Sequence, residues 1–400
     1  MSNIDLPNNK MRILFVVPFY KPAYLYGGPV NSLSMSCEAL ASMGEQVTVF
    51  TTNANGSSAI DLPVDRPVNV NGVHVYYFER HPLSPPKYFI APKMRRTLLD
   101  QIGDFNVAYT SATWTYPMLA FSDARTRKQI PYVVSPRGDF MTWSMKQSYL
   151  KKLAYLTMIE KKHVDQASAI HCTSQAEIQQ LKPWRFHPTA VLIPNGINTS
   201  PFKNLPKRGS LREQLHISDD APVTLLAGRI HRMKRINRTI EVFFEVTKSV
   251  PNAQLIVAGH DEDGSAQDAQ YQADKLGLNK NVHFIGLVTG TALLQAYRDA
   301  DLLVLLSHRE NFGMVVLEAM ASKLPVLISR EVGIGDAVTE SDAGFVVNPD
   351  TPECASTWIR MLNNRQERKV MGQRAYQLVL DKFSIESTTL QMRDLLYKIS

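Results

Sequence analysis

Two glutamates separated by seven residues pose the chemical question in this chain. Within Ser307-His-Arg-Glu-Asn-Phe-Gly-Met-Val-Val-Leu-Glu-Ala-Met320, Glu318 stands among Val315, Val316, Leu317, Ala319 and Met320. An ionised carboxylate on a helix that is apolar nearly all round is costly unless it is paired. Glu318 is therefore expected to serve either a helix ion pair or a ligand. Glu310 precedes the helix start, about 12 Å from Glu318 if the rise were helical throughout. That span is comparable to the distance from sugar to ribose in a nucleotide-sugar. Between the two carboxylates, the amides of Phe312, Gly313 and Met314 would open a helix N-terminus, which suits an anion. Carboxylates accepting from hydroxyls at each end, with amides holding a diphosphate between them, would bind such a molecule.

A second motif, Gly228-Arg-Ile-His-Arg-Met-Lys-Arg235, follows a strand and offers two cations, Arg229 and Lys234. Both would reach a diphosphate and stabilise a nucleotide leaving with negative charge. Basic loop residues are ordinarily just solvated, so this motif takes its meaning from the glutamate pair. In the N-terminal half, Gly27-Gly28-Pro29 follows the first strand, and adjacent glycines permit close backbone approach. A plain tight turn is the competing reading there. The loop Ser135-Pro-Arg-Gly-Asp139 carries Arg137, able to neutralise a phosphate or polarise an acceptor, and Asp139, able to accept a proton. Asp261-Glu-Asp263 has a spacing that can hold a divalent metal, but it lies in a polar stretch and reads as a solvated loop. The ten histidines show no i, i+4 pair beside an acid, and the three cysteines are scattered. No metal site is expected.

The pattern of Glu310, seven residues and Glu318, with Asn311-Phe312-Gly313 after the first, resembles glycosyltransferase family 4 over nearly the whole chain. That resemblance implies the GT-B fold and sugar transfer with retained anomeric configuration, from a UDP- or GDP-sugar to a glycan or lipid-linked acceptor. It places Glu310 and the Asn311 to Met314 backbone by the donor sugar, Glu318 on the ribose, and Arg229 and Lys234 on the diphosphate. It also aims the Gly27-Gly28 loop at the diphosphate and, near Phe284-Ile-Gly286, brings His283 toward the base. No cofactor or metal is implied; the nucleotide-sugar is substrate. Two departures stand out: Arg235 replaces the glycine usual after the lysine, and Arg137 sits where many members have histidine. Two alternatives remain open, a nucleotide-sugar epimerase of the same fold and a non-catalytic nucleotide-sugar-binding partner of a transferase.

These residues must be held by α/β elements. Arg12 to Pro18, Gln46 to Thr51, Val73 to Phe78, Val107 to Tyr109, Tyr132 to Ser135 and Ala169 to Thr173 read as strands, with helices from Val30 to Met43 and Met145 to Gln166. A second alternation gives strands at Val223 to Ala227, Gln254 to Ala258, Val282 to Ile285, Leu302 to Leu306 and Pro325 to Ile328. The fold class is thus α/β, two Rossmann-like domains facing each other across a cleft. At 400 residues the chain exceeds one ordinary core. We expect an acceptor domain over 1–200, a donor domain over 201–380, and a C-terminal helix over 381–400 packing back on the first.

The composition, 44% hydrophobic and 20% charged, is that of a globular chain without a bilayer-length apolar run. MSNIDLPNNK lacks the marks of a signal peptide, so a cytoplasmic location is expected. Residues 1–200 carry 20 Lys+Arg against 13 Asp+Glu, whereas residues 201–400 carry 24 of each. The excess, including Lys87, Lys93, Arg95, Arg96, Lys146, Lys151, Lys152, Lys161 and Lys162, reads either as solvated helix faces or as peripheral attraction to an anionic membrane surface. No recognition motif accompanies it to suggest nucleic acid.

Overall fold

A computed structural model describes residues 10–85 and 87–400. Residues 1–9, most of the segment read for a leader, lie outside the described residues. The chain divides into two compact units, residues 1–196 with 385–400, and residues 197–384. The switch at Gly196 and Ile197 comes before the polar stretch around Pro201 to Gly209, which instead folds as short helices, Ser200–Lys203 and Ser210–Gln214, of the second unit.

The first unit is built on an eight-stranded sheet. Its hydrogen-bonded order is Ala190–Leu192, Ala169–Cys172, Tyr132–Ser135, Val107–Ser111, Arg12–Val16, Gln46–Thr52, Val73–Phe78 and Pro67–Val70. All neighbours are parallel except the last pair, whose edge strand runs antiparallel. Ile13, Leu14, Phe15 and Val16 are all buried, as an interior strand covered on both faces requires. The closing helix, Ile385–Ile399, buries Met392, Leu395 and Leu396 in this unit's core, and Arg393 holds Glu45 at 2.7 Å. Gly196 is needed here, because a Cβ on it would fall 2.1 Å from Thr388 Oγ1 and 2.9 Å from the Ile385 backbone.

The basic helix expected over Met145 to Gln166 is not continuous. The chain forms Thr142–Lys146, turns at Ser148 with φ 59°, and resumes as Tyr149–Tyr155, a π-helical turn Leu156–Glu160, and Lys161–Asp165. No glycine or proline marked that break.

The second unit carries six parallel strands in the order Val282–Gly286, Gln254–Ala258, Val223–Ala227, Leu302–Leu305, Val326–Ser329 and Gly344–Val347. Both units are therefore Rossmann-like. In the second, strand order reverses between Val223–Ala227 and Leu302–Leu305, the point outside whose carboxyl ends open α/β sheets bind ligands.

Candidate active site

The loops that leave those two neighbouring strands are the two motifs, residues 228–235 and 306–313. Their approach depends on small residues. A Cβ on Gly259 would lie 1.8 Å from the Gly228 carbonyl oxygen, and one on Gly228 would lie 3.5 Å from Val315. The Gly228 loop thus rests against the first turn of the helix Met314–Ala321. Further along, the His308 amide donates to the Met233 carbonyl at 2.8 Å.

Glu310 is not helical. Its amide donates to Glu331 and its carbonyl accepts from Gly333, both at 2.9 Å, so residues 310–312 run as a short parallel bridge beside Val332. Gly313 then turns the chain at φ +101°, where a Cβ would come within 3.0 Å of Val332. That glycine starts the helix, whose first amides have no acceptor of their own within it. The Glu310 carboxylate is bound directly by the Lys234 ammonium, with both side chains only partly exposed. Asn311 and Met314 are half-buried beside this pair, while the Phe312 ring is in the core, 5.9 Å from that of Phe383. Only the backbone of Phe312 is available to a ligand.

Glu318 is half-buried and turned inward, accepting a 2.6 Å hydrogen bond from the Tyr297 hydroxyl. Burial pushes its carboxyl above the ordinary range, and the Tyr297 bond partly opposes this. Sequence reasoning required a partner here but missed Tyr297, which lies on the helix Gly290–Asp299.

Arg229 is exposed and pairs with Glu262 at 2.6 Å. The acidic run beside it is more than a solvated loop. Asp261 accepts from the Gly264 amide at 3.0 Å, while Asp263 accepts from the Arg232 amide at 3.3 Å and faces His231 at 3.4 Å. These acids hold the cationic loop in place. Arg235, in the usual glycine position, adopts φ 52° and is tied to Asp350 through both terminal guanidinium nitrogens. Those ion pairs support a left-handed conformation that a glycine would reach without help. His283 bonds Gln254 at 2.8 Å, and burial lowers its pKa.

In the first unit, Gly27 has φ 72° and caps the helix Gly28–Ser42. The stretch before it is braced by Phe19 stacked on Tyr26, centroids 4.4 Å apart. Arg137 has φ 53° and donates to Asn195 at 2.6 Å and to the Tyr109 hydroxyl at 3.3 Å. Tyr109 contacts His171 Nδ1 at 2.6 Å, and His171 Nε2 reaches the Ile193 carbonyl at 2.7 Å. A carbonyl only accepts, so Nε2 carries the proton and Tyr109 donates to Nδ1. Burial, reinforced by Arg137, lowers the His171 pKa to about 3 and keeps the ring neutral. A histidine inside the apolar strand Ala169–Cys172 was the signal available for this network. Asp139 accepts from the Thr113 amide and hydroxyl, each at 2.9 Å, and so anchors that loop.

Beside Thr113, the Trp114 amide donates to Glu160 at 3.4 Å. Burial, opposed by that bond and reinforced by Asp139, pushes the Glu160 carboxyl from 4.5 up to about 8. The folded chain therefore holds a proton that the unfolded chain releases near 4.5. Native stability from this group is full below that value and is lost as pH rises toward 8. Glu160→Gln is expected to be stabilising at pH 8.5, by ~1–3 kcal/mol, and nearly neutral at pH 5. Thermal melts across this range check it; an increment independent of pH would contradict the assignment.

Residues 207–378 match the family described as glycosyl transferases group 1, and residues 27–196 match the glycosyl transferase 4-like domain. The chain belongs to the group 1 glycosyltransferases. It is a transferase enzyme of the GT-B fold. This glycosyltransferase is 26% identical to an uncharacterized glycosyltransferase of Methanocaldococcus jannaschii, over 98% of each chain. In fold it is similar to a sucrose-phosphate synthase from Thermosynechococcus elongatus, with TM-score 0.77 and 22% identity over 97% of this chain and 98% of that one. An Anabaena protein, HepE, in complex with UDP-glucose gives TM-score 0.73 and 18% identity over 97% of this chain and 100% of that one.

Proposed function

We propose that the glycosyltransferase moves a hexose, with retention, from a nucleotide-diphosphate sugar to a hydroxyl of a glycan or lipid-linked acceptor, in surface polysaccharide or glycolipid assembly. The observation that carries this reading is the Lys234 to Glu310 pair beside the start of the helix Met314–Ala321. It joins a cation suited to a diphosphate with a carboxylate suited to sugar hydroxyls. Arg229 adds charge at the same loop, Glu318 takes the ribose, and the amides of Asn311 to Met314 complete the donor grip. Gly27 and Gly28 serve the diphosphate, and Arg137, fixed by Asn195 and Tyr109, serves the acceptor. The cations do the work of charge neutralisation, so no metal is required. HepE in its UDP-glucose complex supports a uridine donor, with guanosine as the alternative base.

The test is incubation with UDP- and GDP-hexoses, a chelator and a membrane extract, following nucleotide release and the anomeric configuration of the product. Release with a retained linkage is expected. Isomerisation without release would replace transfer by epimerisation, and an inverted linkage would remove retention.

A peripheral membrane contact belongs to the same proposal. No described helix is long and apolar enough to cross a membrane. On the broken basic segment, however, Trp143, Tyr149, Leu150 and Met158 are exposed, with Leu150 at 78% and Met158 at 71%. The side chains of Lys146, Lys151 and Lys162 are exposed along the same stretch. Apolar side chains among cations suit an anionic interface. Leu150→Asp with Lys151→Glu is expected to weaken sedimentation with phosphatidylglycerol vesicles about tenfold, since each basic side chain near the surface contributes about 1 kcal/mol. Equal binding by the variant and the native chain would exclude this segment.

A further inference from the structure

The second unit holds a cavity of about 1020 Å³ to which the donor-site loops contribute nothing. Residues 228–235 and 307–318 are absent from its lining, which reaches the donor site only as far as Tyr297, the partner of Glu318. Four separated segments supply it with cations. Lys203 and Arg208 come from the stretch that opens the unit, and Arg298 from the end of the helix Gly290–Asp299. Lys323 comes from the turn after Met314–Ala321, and Arg365, Arg368 and Lys369 from the first turns of the helix Arg365–Leu378. Asp301 is the acid of the lining, and it already accepts from Arg208 at 2.7 Å and Arg212 at 2.9 Å.

This concentration is not inherited from composition, because residues 201–400 carry 24 basic and 24 acidic side chains. It is also locally unfavourable. A helix N-terminus favours acids and disfavours cations, yet Arg365, Arg368 and Lys369 outnumber Glu367 over the first turns of this one. Arg368 is 9% exposed, held by the carbonyls of Met361 and Leu362, and it faces this space without a carboxylate in ion-pair contact among the described residues. Lys203, Arg298, Arg365 and Lys369 likewise form no ion pair among the described residues. Such mutual repulsion is relieved when anionic charge fills the space.

We propose that this cavity is a second anion site, which takes a compact ligand bearing several phosphate groups, of the inorganic polyphosphate or nucleoside polyphosphate class. Its concavity and the burial of Arg368 favour a ligand that enters over a flat membrane surface. Its volume, at the upper end of small-molecule sites, exceeds what one phosphate fills.

Titration calorimetry of the full chain with inorganic tripolyphosphate tests the proposal, using three proteins: the native chain, Arg365→Glu with Lys369→Glu, and Lys234→Ala. Both reversed residues are exposed, so the fold is expected to survive, and melting curves check that it does. The dissociation constant is expected to rise about tenfold or more in the double reversal, as loss of charged hydrogen bonds implies. It should stay within about threefold in Lys234→Ala, while UDP affinity is unchanged by the double reversal. ATP in place of tripolyphosphate distinguishes the sources: tighter binding of ATP adds recognition of the nucleoside, and equal binding assigns recognition to the phosphates. Absence of saturable binding to the native chain overturns the proposal. So does loss of binding in Lys234→Ala alone, which would put the anion in the donor loops, or binding that the reversal leaves unchanged.

Discussion

Glu310→Gln is expected to lower kcat by about 10²–10³-fold, the scale seen when one preorganised polar contact to developing charge is removed. The substitution keeps the size of the side chain and its capacity to accept a hydrogen bond, but it removes the charge that binds Lys234. Two functions are lost together. In the proposed roles the sugar would lose a charged acceptor, and the lysine would lose the counter-charge that fixes its position near the diphosphate. The backbone around residue 310 is held independently by the bonds to Glu331 and Gly333 at 2.9 Å, so the loop itself should persist. UDP affinity is expected to fall by much less than kcat, within about tenfold, because UDP lacks the sugar assigned to Glu310 and loses only the positioning of Lys234. Steady-state turnover and UDP titration on the same preparation separate these effects. Retained kcat would remove Glu310 from the reaction. An equal loss in UDP affinity would make it a structural support for the loop.

The double variant with Lys234→Ala sharpens that result. If the two residues act as one unit, the double substitution should cost no more than the larger single one, because contacting residues are not additive. Independent multiplication of the two losses would instead assign each a separate role.

Much of this site was legible because its residues are local in sequence. The interior strands are apolar on both faces, and the strand-to-helix turns follow them, so both motifs could be put at carboxyl ends from pattern alone. Glu318 was conspicuous because its neighbours are all apolar. Its partner was not, since Tyr297 lies on a different helix and nothing local singles out one tyrosine. The same limit hid the chain from Arg137 through Tyr109 to His171, whose members sit on three strands or their loops. Asp261 to Asp263 looked like a solvated loop because its work, holding the loop around Arg229 and His231, is visible only once Ile230 and Asp261 are paired. The break at Ser148 escaped for another reason: the apolar spacing continues across it, and a serine at φ 59° leaves no compositional mark. The cationic cavity is the extreme case, since its lining spans residues 202–369 and no window of sequence contains it.

Glu318→Ala is expected to weaken UDP binding by about 1.5–3 kcal/mol, on the order of 10- to 150-fold, for each charged hydrogen bond to the ribose that is lost. The structure adds a pH dependence to that magnitude. In the proposed role a ribose hydroxyl would donate to the ionised carboxylate, and burial has moved the Glu318 pKa upward. UDP affinity should consequently be full above that raised value and decline as pH falls through it, beginning at a higher pH than an ordinary glutamate near 4.5 would allow. Glu318→Gln should remove this acid limb. Tyr297→Phe acts in the opposite sense to a repair: the tyrosine bond favours the ionised form, so its loss raises the pKa further and shifts the limb to higher pH. It also leaves Glu318 without its 2.6 Å donor, so the phenylalanine variant should bind UDP more weakly than the native chain at acid pH and recover as pH rises. A structural role for the pair would give a different result, namely weakened binding by the same factor at every pH. Calorimetric UDP titrations of the native chain and the three variants across the acid and neutral range distinguish them, and an acid limb that Glu318→Gln leaves unchanged would take Glu318 off the ribose.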